Sequence, residues 1–343
     1  MCCTEKILKI NAPCKINIHL DVGEKRSDGF HDIKSIFIPL NLYDTLTFNG
    51  KIMVEPVKNI NSYPQKLEII TDISELPDEF AQNLTPDALP PEKNLVFKAV
   101  RLFYERTGNA FSGKITIKKR IPQAAGLGGG SSDAAATLLA LNSLCGSQFG
   151  LTFLQEIAAC LGSDVPFFIG NGALNTVGAA IACGRGEQLL FFDAPVLHVV
   201  LVNSGLKSNT AEAFSMLDTY RNTKNPSNIN KNPVFNNDPQ SEFTKNPEKW
   251  RFFNSFLPVF LQSPQLSPVY SAILEDLRSN GGLFTSLSGS GSTCFGIFPN
   301  KKAAIAAAAH ICAKYPFVKY AKKTLCGFAQ GRGGIFKLFT NLF

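Results

Sequence analysis

The stretch from Ile121 to Asn142, IPQAAGLGGGSSDAAATLLALN, limits what this chain can fold into more than any other. Just before it, Gly113–Arg120 (GKITIKKR) sets Ile115 and Ile117 against Thr116 and Lys118, the two-residue period of a half-buried strand. Pro122 has no N–H and ends the ladder. Gly126, Gly128, Gly129 and Gly130 then fill four of five positions, more glycine than a connection needs if it only has to turn. Ser131, Ser132 and Asp133 are helix-start residues, and Ala134 to Leu141 favours helix. Strand, glycine turn and helix start in succession leave unpaired backbone N–H groups at a helix N-terminus. Such a ring of donors, backed by the helix dipole, suits a phosphate.

Two familiar phosphate loops do not match. The stretch contains no G-x-x-x-x-G-K-[ST] and no strand-borne G-x-G-x-x-G with a ribose-binding acid. It resembles instead the P-x-x-x-G-L-G-[SG]-S-[SA] block of the GHMP kinases, and its triple-glycine form GLGGGSSDAAA is nearest to members acting on a cytidine diphosphate-linked sugar alcohol. The family's opening blocks, A-P-A-K-[IL]-N-L-x-L and R-x-D-G-[YF]-H, are matched in order by APCKINIHL and RSDGFH. Further blocks follow as NLVFKA from Asn94, GSDVPFF from Gly162, NTAEAF from Asn209 and LSGSGSTCF from Leu287. The resemblance spans roughly residues 5–326.

The residues alone say less than the blocks do. Lys15 reads as a solvated lysine at a strand start, with Asn17 on the polar face of Ile16–Gly23. Asp164 could be only the N-cap of a short turn, and Asn94 a plain cap of the helix Asn94–Thr107. The resemblance implies more. Lys15 and Asp164 become the catalytic pair, the aspartate taking the acceptor's proton while the lysine holds phosphoryl charge. ATP would rest on Pro122, Ala125, Gly126, Leu127, Gly128, Gly129, Gly130, Ser131 and Ser132, with Asn94 and Lys119 towards the adenosine. Asn17, Phe30, His31, Phe37, Thr210 and Phe214 would line the acceptor side. There a cytosine would lie between Phe30 and Phe214, and His31 would offer it a donor and an acceptor. Mg²⁺ should accompany ATP, with Ser131 or Ser132 as a contact; no metal ligand set is legible.

The implied fold is α+β, a two-domain GHMP architecture with the active cleft between residues 1–195 and 196–330. A polar insert near 221–248 and a tail at 331–343 fall outside it. The implied reaction is ATP-dependent phosphorylation of the 2-hydroxyl of that sugar alcohol. Rival readings are a GHMP kinase for another alcohol, such as homoserine or a mevalonate derivative, and a catalytically silent nucleotide-binding regulator on the same scaffold.

Composition excludes several other classes. A net charge of +7 is spread over scattered lysines, without the arginine–aromatic alternation of single-strand binders, so no nucleic-acid partner is expected. The nine cysteines are dispersed, with no C-x-x-C, and read as reduced thiols. No leader and no membrane span is legible, which makes the cytoplasm the expected compartment. Monomer and homodimer both remain open. Trp250–Gln262 reads as an amphipathic helix, and Tyr220–Pro247, rich in Asn, Pro and Ser, as a loop.

Overall fold

Residues Lys6–Lys25 (β1) and His31–Val54 (β2) form one long antiparallel pair, from Lys6 opposite Gly50 to Lys25 opposite His31. The sequence pattern suggests two strands with a break at Pro13; the ladder instead runs through, with a bulge between Pro13 and Cys14. The computed structural model describes residues 5–54, 67–81, 93–171, 176–223, 238–324, 326–328 and 338–339.

The chain continues through β3 (Leu67–Asp72), α1 (Asp78–Ala81), α2 (Leu95–Thr107), β4 (Asn109–Lys118), α3 (Gly129–Leu144), α4 (Leu151–Leu161) and α5 (Val165–Ile169). Then come β5 (Thr176–Val177), β6 (Ala179–Cys183) and β7 (Gln188–Phe192). A six-stranded sheet takes the order β3-β4-β2-β6-β7, with β1 on β2. The second half runs β8 (His198–Asn203), α6 (Thr210–Thr223), α7 (Gln240–Phe243), α8 (Leu257–Phe260), α9 (Ser267–Ser279), β9 (Phe284–Leu287), β10 (Cys294–Phe298), α10 (Lys301–Ile311) and β11 (Phe317–Lys322). Its four-stranded sheet is ordered β11-β8-β10-β9. The short β12 (Cys326–Phe328) joins β5 and β13 (Leu338–Phe339). This mixed architecture, with helices packed on two antiparallel-rich sheets, is the α+β class expected.

Strand β1 crosses three hydrophobic clusters. Leu8, Ile10 and Ala12 pack under α2 and α3; Cys14, Ile16 and Ile18 join Val199, Leu201 and Phe295; Leu20 and Val22 join Phe256, Ile273 and Leu277. The middle of β1 is therefore buried between the two sheets, and Lys15 and Asn17 stand there.

Residues 250–262 correct the sequence reading. Trp250, Phe252, Asn254 and Phe256 are buried alternately, Leu20 bridges to Asn254, and helix begins only at Leu257. The aromatic rings decide it, since Trp250 and Phe252 pack on Phe243 and Phe284, which a helical spacing would turn away. The expected loop 220–247 is also partly structured. Helix α6 runs to Thr223, and Glu242 on α7 is buried, accepting from the Arg251 N–H and pairing with Lys245. Residues 224–237 and, apart from 338–339, the tail lie outside the described residues. Among the described residues no helix is long and apolar enough to cross a membrane.

Candidate active site

The expected phosphate loop links β4 to α3. Gly128 is the N-cap of α3 at φ +71°, and Gly126 lies at φ +74°. Both values belong to the left-handed region that glycine enters cheaply. Ser132 N donates to Gly128 O at 2.9 Å, so the helix ladder begins there. The N–H groups of Gly129, Gly130 and Ser131 have no acceptor among the described residues, which leaves an anion-ready first turn. The serines and Asp133 are thus first-turn residues rather than caps.

Loop position is set from both sides. On one side the Lys15 N–H donates to Leu127 O at 2.9 Å, drawing β1 against the loop. On the other, the Ser288 hydroxyl donates to Gly126 O at 2.8 Å and accepts from Asn17 N at 3.2 Å, while Thr293 N donates to Ala125 O at 3.2 Å. A Cβ on Gly126 would land on the Ser288 carbonyl oxygen, and one on Gly289 would come within 3.2 Å of Gly126 Cα. The glycines of the two blocks therefore make room for each other. Pro122, Ala125, Leu127 and Gly129 are buried supports of the loop, while Gly126, Gly128 and Ser131 line the cleft.

Lys15 is 4% exposed. Its Nζ donates to Asn17 Oδ1 at 2.6 Å, lies 3.2 Å from Asp164 Oδ2 and stands 4.4 Å from the centroid of Phe37. Asn17 Nδ2 in turn donates to Ser35 Oγ at 2.8 Å, and Ser35 Oγ to His19 O at 2.6 Å. A lysine reading as solvated from sequence is thus fixed by a carboxylate, an amide and an aromatic face. Asp164 precedes α5 but makes no capping bond; its carboxylate turns to Lys15 and keeps 28% of its side chain open to the cleft. This leaves room for a hydroxyl to approach. Phe37, expected on the acceptor side, lines the cleft from beneath Lys15 and packs against Phe167.

The far wall carries Phe30, His31, Thr210 and Phe214. Thr210 opens α6 within 3.1 Å of Ser290 Oγ. The His31 ring lies 4.9 Å from that of Phe214, whereas no Phe30–Phe214 ring contact exists among the described residues. The expected sandwich of a base between Phe30 and Phe214 is therefore not preformed. His31 Nδ1 donates to Gly23 O at 3.0 Å and its Nε2 lies 3.4 Å from Asp218 Oδ1. Both ring nitrogens face protein acceptors, so the side chain braces the wall instead of presenting a free polar edge. The cleft between loop and wall encloses about 1040 Å³.

Two expected nucleotide residues lie elsewhere. Lys119 is 2% exposed and held between Asp44 and Asp133, with Nζ at 2.7 Å from Asp133 Oδ2. Burial alone would lower its pKa, but the two carboxylates hold it above the usual lysine range. It is a buried clasp beneath the loop and not part of the cleft lining. Asn94 caps α2, its Oδ1 accepting from Val96 N at 2.9 Å, while its neighbour Leu95 lines the cleft.

Residues 94–172 match the GHMP kinases N terminal domain and residues 246–316 the GHMP kinases C terminal domain. A 4-diphosphocytidyl-2-C-methyl-D-erythritol kinase of Treponema pallidum (strain Nichols) is 31% identical over 300 residues, covering 86% of this chain and 91% of the relative. The chain belongs to the GHMP kinases. A relative of the same name from Deinococcus radiodurans is 33% identical over 309 residues, 89% of each chain. Among solved GHMP kinase structures, that of a 4-(cytidine 5'-diphospho)-2C-methyl-D-erythritol kinase aligns with TM-score 0.68 and 27% identity over 93% of this chain and 99% of the other. A mevalonate kinase of L. major, at 15% identity and TM-score 0.63, shares the fold over 94% of this chain and 97% of its own.

Within this GHMP kinase, sequence reasoning missed Ser288 and Asn254 as parts of the site. Asn254 Nδ2 donates to Leu287 O and Gly289 O, both at 2.8 Å, and its Oδ1 accepts from Phe256 N at 2.9 Å. It holds the 287–293 glycine turn against the phosphate loop. The available signal was a weak resemblance of Asn254–Leu257 (NSFL) to an N-D-[LF]-E block of the family, both of whose acidic positions are lost here, at Ser255 and Leu257. Ser255 in the acidic position accepts from Val22 N at 3.0 Å, so the segment still ties β1 to the second half.

Proposed function

We propose that this protein transfers the γ-phosphoryl group of ATP to the 2-hydroxyl of 4-diphosphocytidyl-2-C-methyl-D-erythritol, a step of non-mevalonate isoprenoid precursor biosynthesis. One observation carries the reading: the Lys15–Asp164 pair, 3.2 Å apart, opens onto the same cleft as the loop with free first-turn amides. The relatives that match along most of the chain bear that substrate in their names.

Each part has a defined task. The N–H groups of Gly129, Gly130 and Ser131 receive phosphate oxygens at the positive end of α3. Asp164 takes the proton of the acceptor hydroxyl as the oxygen attacks. Lys15, charged and immobilised by Asn17 and Phe37, orients that carboxylate and offsets the negative charge of the transferred group. The donor set suits Mg²⁺ bound with ATP: Ser131 presents a cleft-lining oxygen, and the buried Ser132 hydroxyl lacks a partner among the described residues. Mg²⁺ would there offset phosphate charge. On the acceptor side Phe30 supplies an exposed aromatic face, and Phe214, His31 and Thr210 shape the wall. The free thiols among the described cysteines accord with work in the cytoplasm.

An ADP-release assay across acceptors tests the reading. The cytidylated alcohol should be turned over, while homoserine and mevalonate should not. Equal turnover of an acceptor without cytidine would sink the substrate assignment.

A further inference from the structure

Arg185 occupies an unusual place in the cleft. It lies at the tip of the turn between β6 and β7, with Gly184 at φ +66° and Gly186 at φ +118° on either side. The turn is pinned three ways: Ile33 N donates to Gly184 O at 2.7 Å, Gly186 N to Cys183 O at 3.0 Å, and Arg185 N to Glu187 Oε2 at 2.7 Å. Its base abuts the catalytic end of the cleft, where a Cβ on Gly186 would lie 3.6 Å from Asp164 Oδ1. The side chain reaches the other way, its Cζ 5.0 Å from the centroid of Phe30. Arg185 thus connects the carboxylate that meets the hydroxyl to the ring that meets the base.

The other cations of the described lining are already engaged. Lys15 is paired to Asp164, and Lys25, 59% exposed, leans towards Asp218 at 3.9 Å. The Arg185 guanidinium has no ion pair and no side-chain hydrogen bond among the described residues; an exposed ring is its partner. An acceptor with its base at Phe30 and its hydroxyl at Asp164 lays its anionic linker alongside this free fork of donors. A planar guanidinium binds phosphate oxygens in pairs while its face still covers an aromatic ring.

We propose that Arg185 is the ligand of the acceptor's diphosphate, selecting a nucleoside diphosphate ester over a neutral nucleoside or plain alcohol. The inference rests on the substrate class assigned above, and the test separates the two. Phosphoryl transfer by the wild-type protein to the cytidylated alcohol is measured first; no transfer removes that assignment and this inference with it. Binding of CDP and of cytidine is then compared by calorimetry, with a non-hydrolysable ATP analogue filling the phosphate loop. Wild type should prefer CDP. Arg185→Gln should weaken CDP about tenfold and change cytidine by less than about twofold, and Arg185→Lys should keep part of the preference. Transfer-competent protein in which Arg185→Gln weakens both probes alike, or leaves CDP unchanged, would overturn the role of Arg185 alone.

Discussion

The floor of the cleft and its rim are built on opposite terms. On the floor, Lys15, Asn17, Ser35, Ser288 and Gly126 form a continuous chain of hydrogen bonds among largely buried groups. At the rim, Phe30 is 52% exposed and its partner there is a guanidinium. Phosphoryl transfer gains from groups fixed before the substrate arrives, because little reorganisation then remains. Recognition of a long, charged acceptor tolerates side chains that settle on arrival. Damage to the floor should therefore cost rate or stability, and damage to the rim should cost affinity for one ligand only.

Asp164→Asn strikes the floor hardest. It keeps the shape and removes the base, so kcat should fall about a thousandfold with the Michaelis constant for ATP little changed; steady-state ADP release checks it. A kcat within a few-fold of wild type would remove Asp164 from proton transfer. Next comes Gly126→Ala, which forces a side chain into the left-handed region and onto Ser288. It should destabilise by about 3 kcal/mol in a denaturant titration, whereas an unchanged midpoint would show that the two glycine blocks are not tightly engaged.

Acid should act on the floor through His19. Burial, with a smaller contribution from Lys34, pushes its pKa from 6.5 down to about 4. Its Nδ1 accepts from Phe253 N at 3.2 Å, as the neutral ring requires. Because the folded value is depressed, the unfolded chain takes up the proton first. Stability is whole above pH 6.5 and is lost as pH falls towards 4, by about 2 kcal/mol at pH 5. His19→Asn, which retains an acceptor, should flatten this acid limb in melts recorded against pH; a limb of unchanged depth would assign it to other groups. The smallest effect belongs to the rim. Phe30→Ala should raise the Michaelis constant for the cytidylated acceptor about tenfold and leave that for ATP alone, and a change in both would erase the distinction between floor and rim.

Much of the framework around the phosphate loop was legible because its signals are local. The glycine run and the Asn94 cap each depend on neighbours within a few residues, and each lies where the pattern puts it. What was misread depends on distant partners. Lys119, expected towards the adenosine, is instead closed upon by Asp44, 75 residues away. His31 looks like a free imidazole until α6 brings Asp218 to its Nε2. The segment after Trp250 carries phenylalanines at spacings that fit helix or strand, and only the cluster containing Phe243 and Phe284 selects the extended form. Propensity yields to packing where a short apolar run could serve either period.

The long first strand also shapes the birth of the molecule. Its Leu20 N–H donates to Phe253 O and its Leu20 O accepts from Ser255 N, so the stretch carrying Leu20 and Val22 is translated more than two hundred residues before the backbone that completes it. A ribosome that has finished the first half holds a sheet whose foremost strand still shows bare amides and apolar side chains. Lys15, seated midway along that strand, finds Asn17, Phe37 and Asp164 within the first half, but the glycine loop beside it is braced by Ser288 and Thr293 only when the later half has emerged.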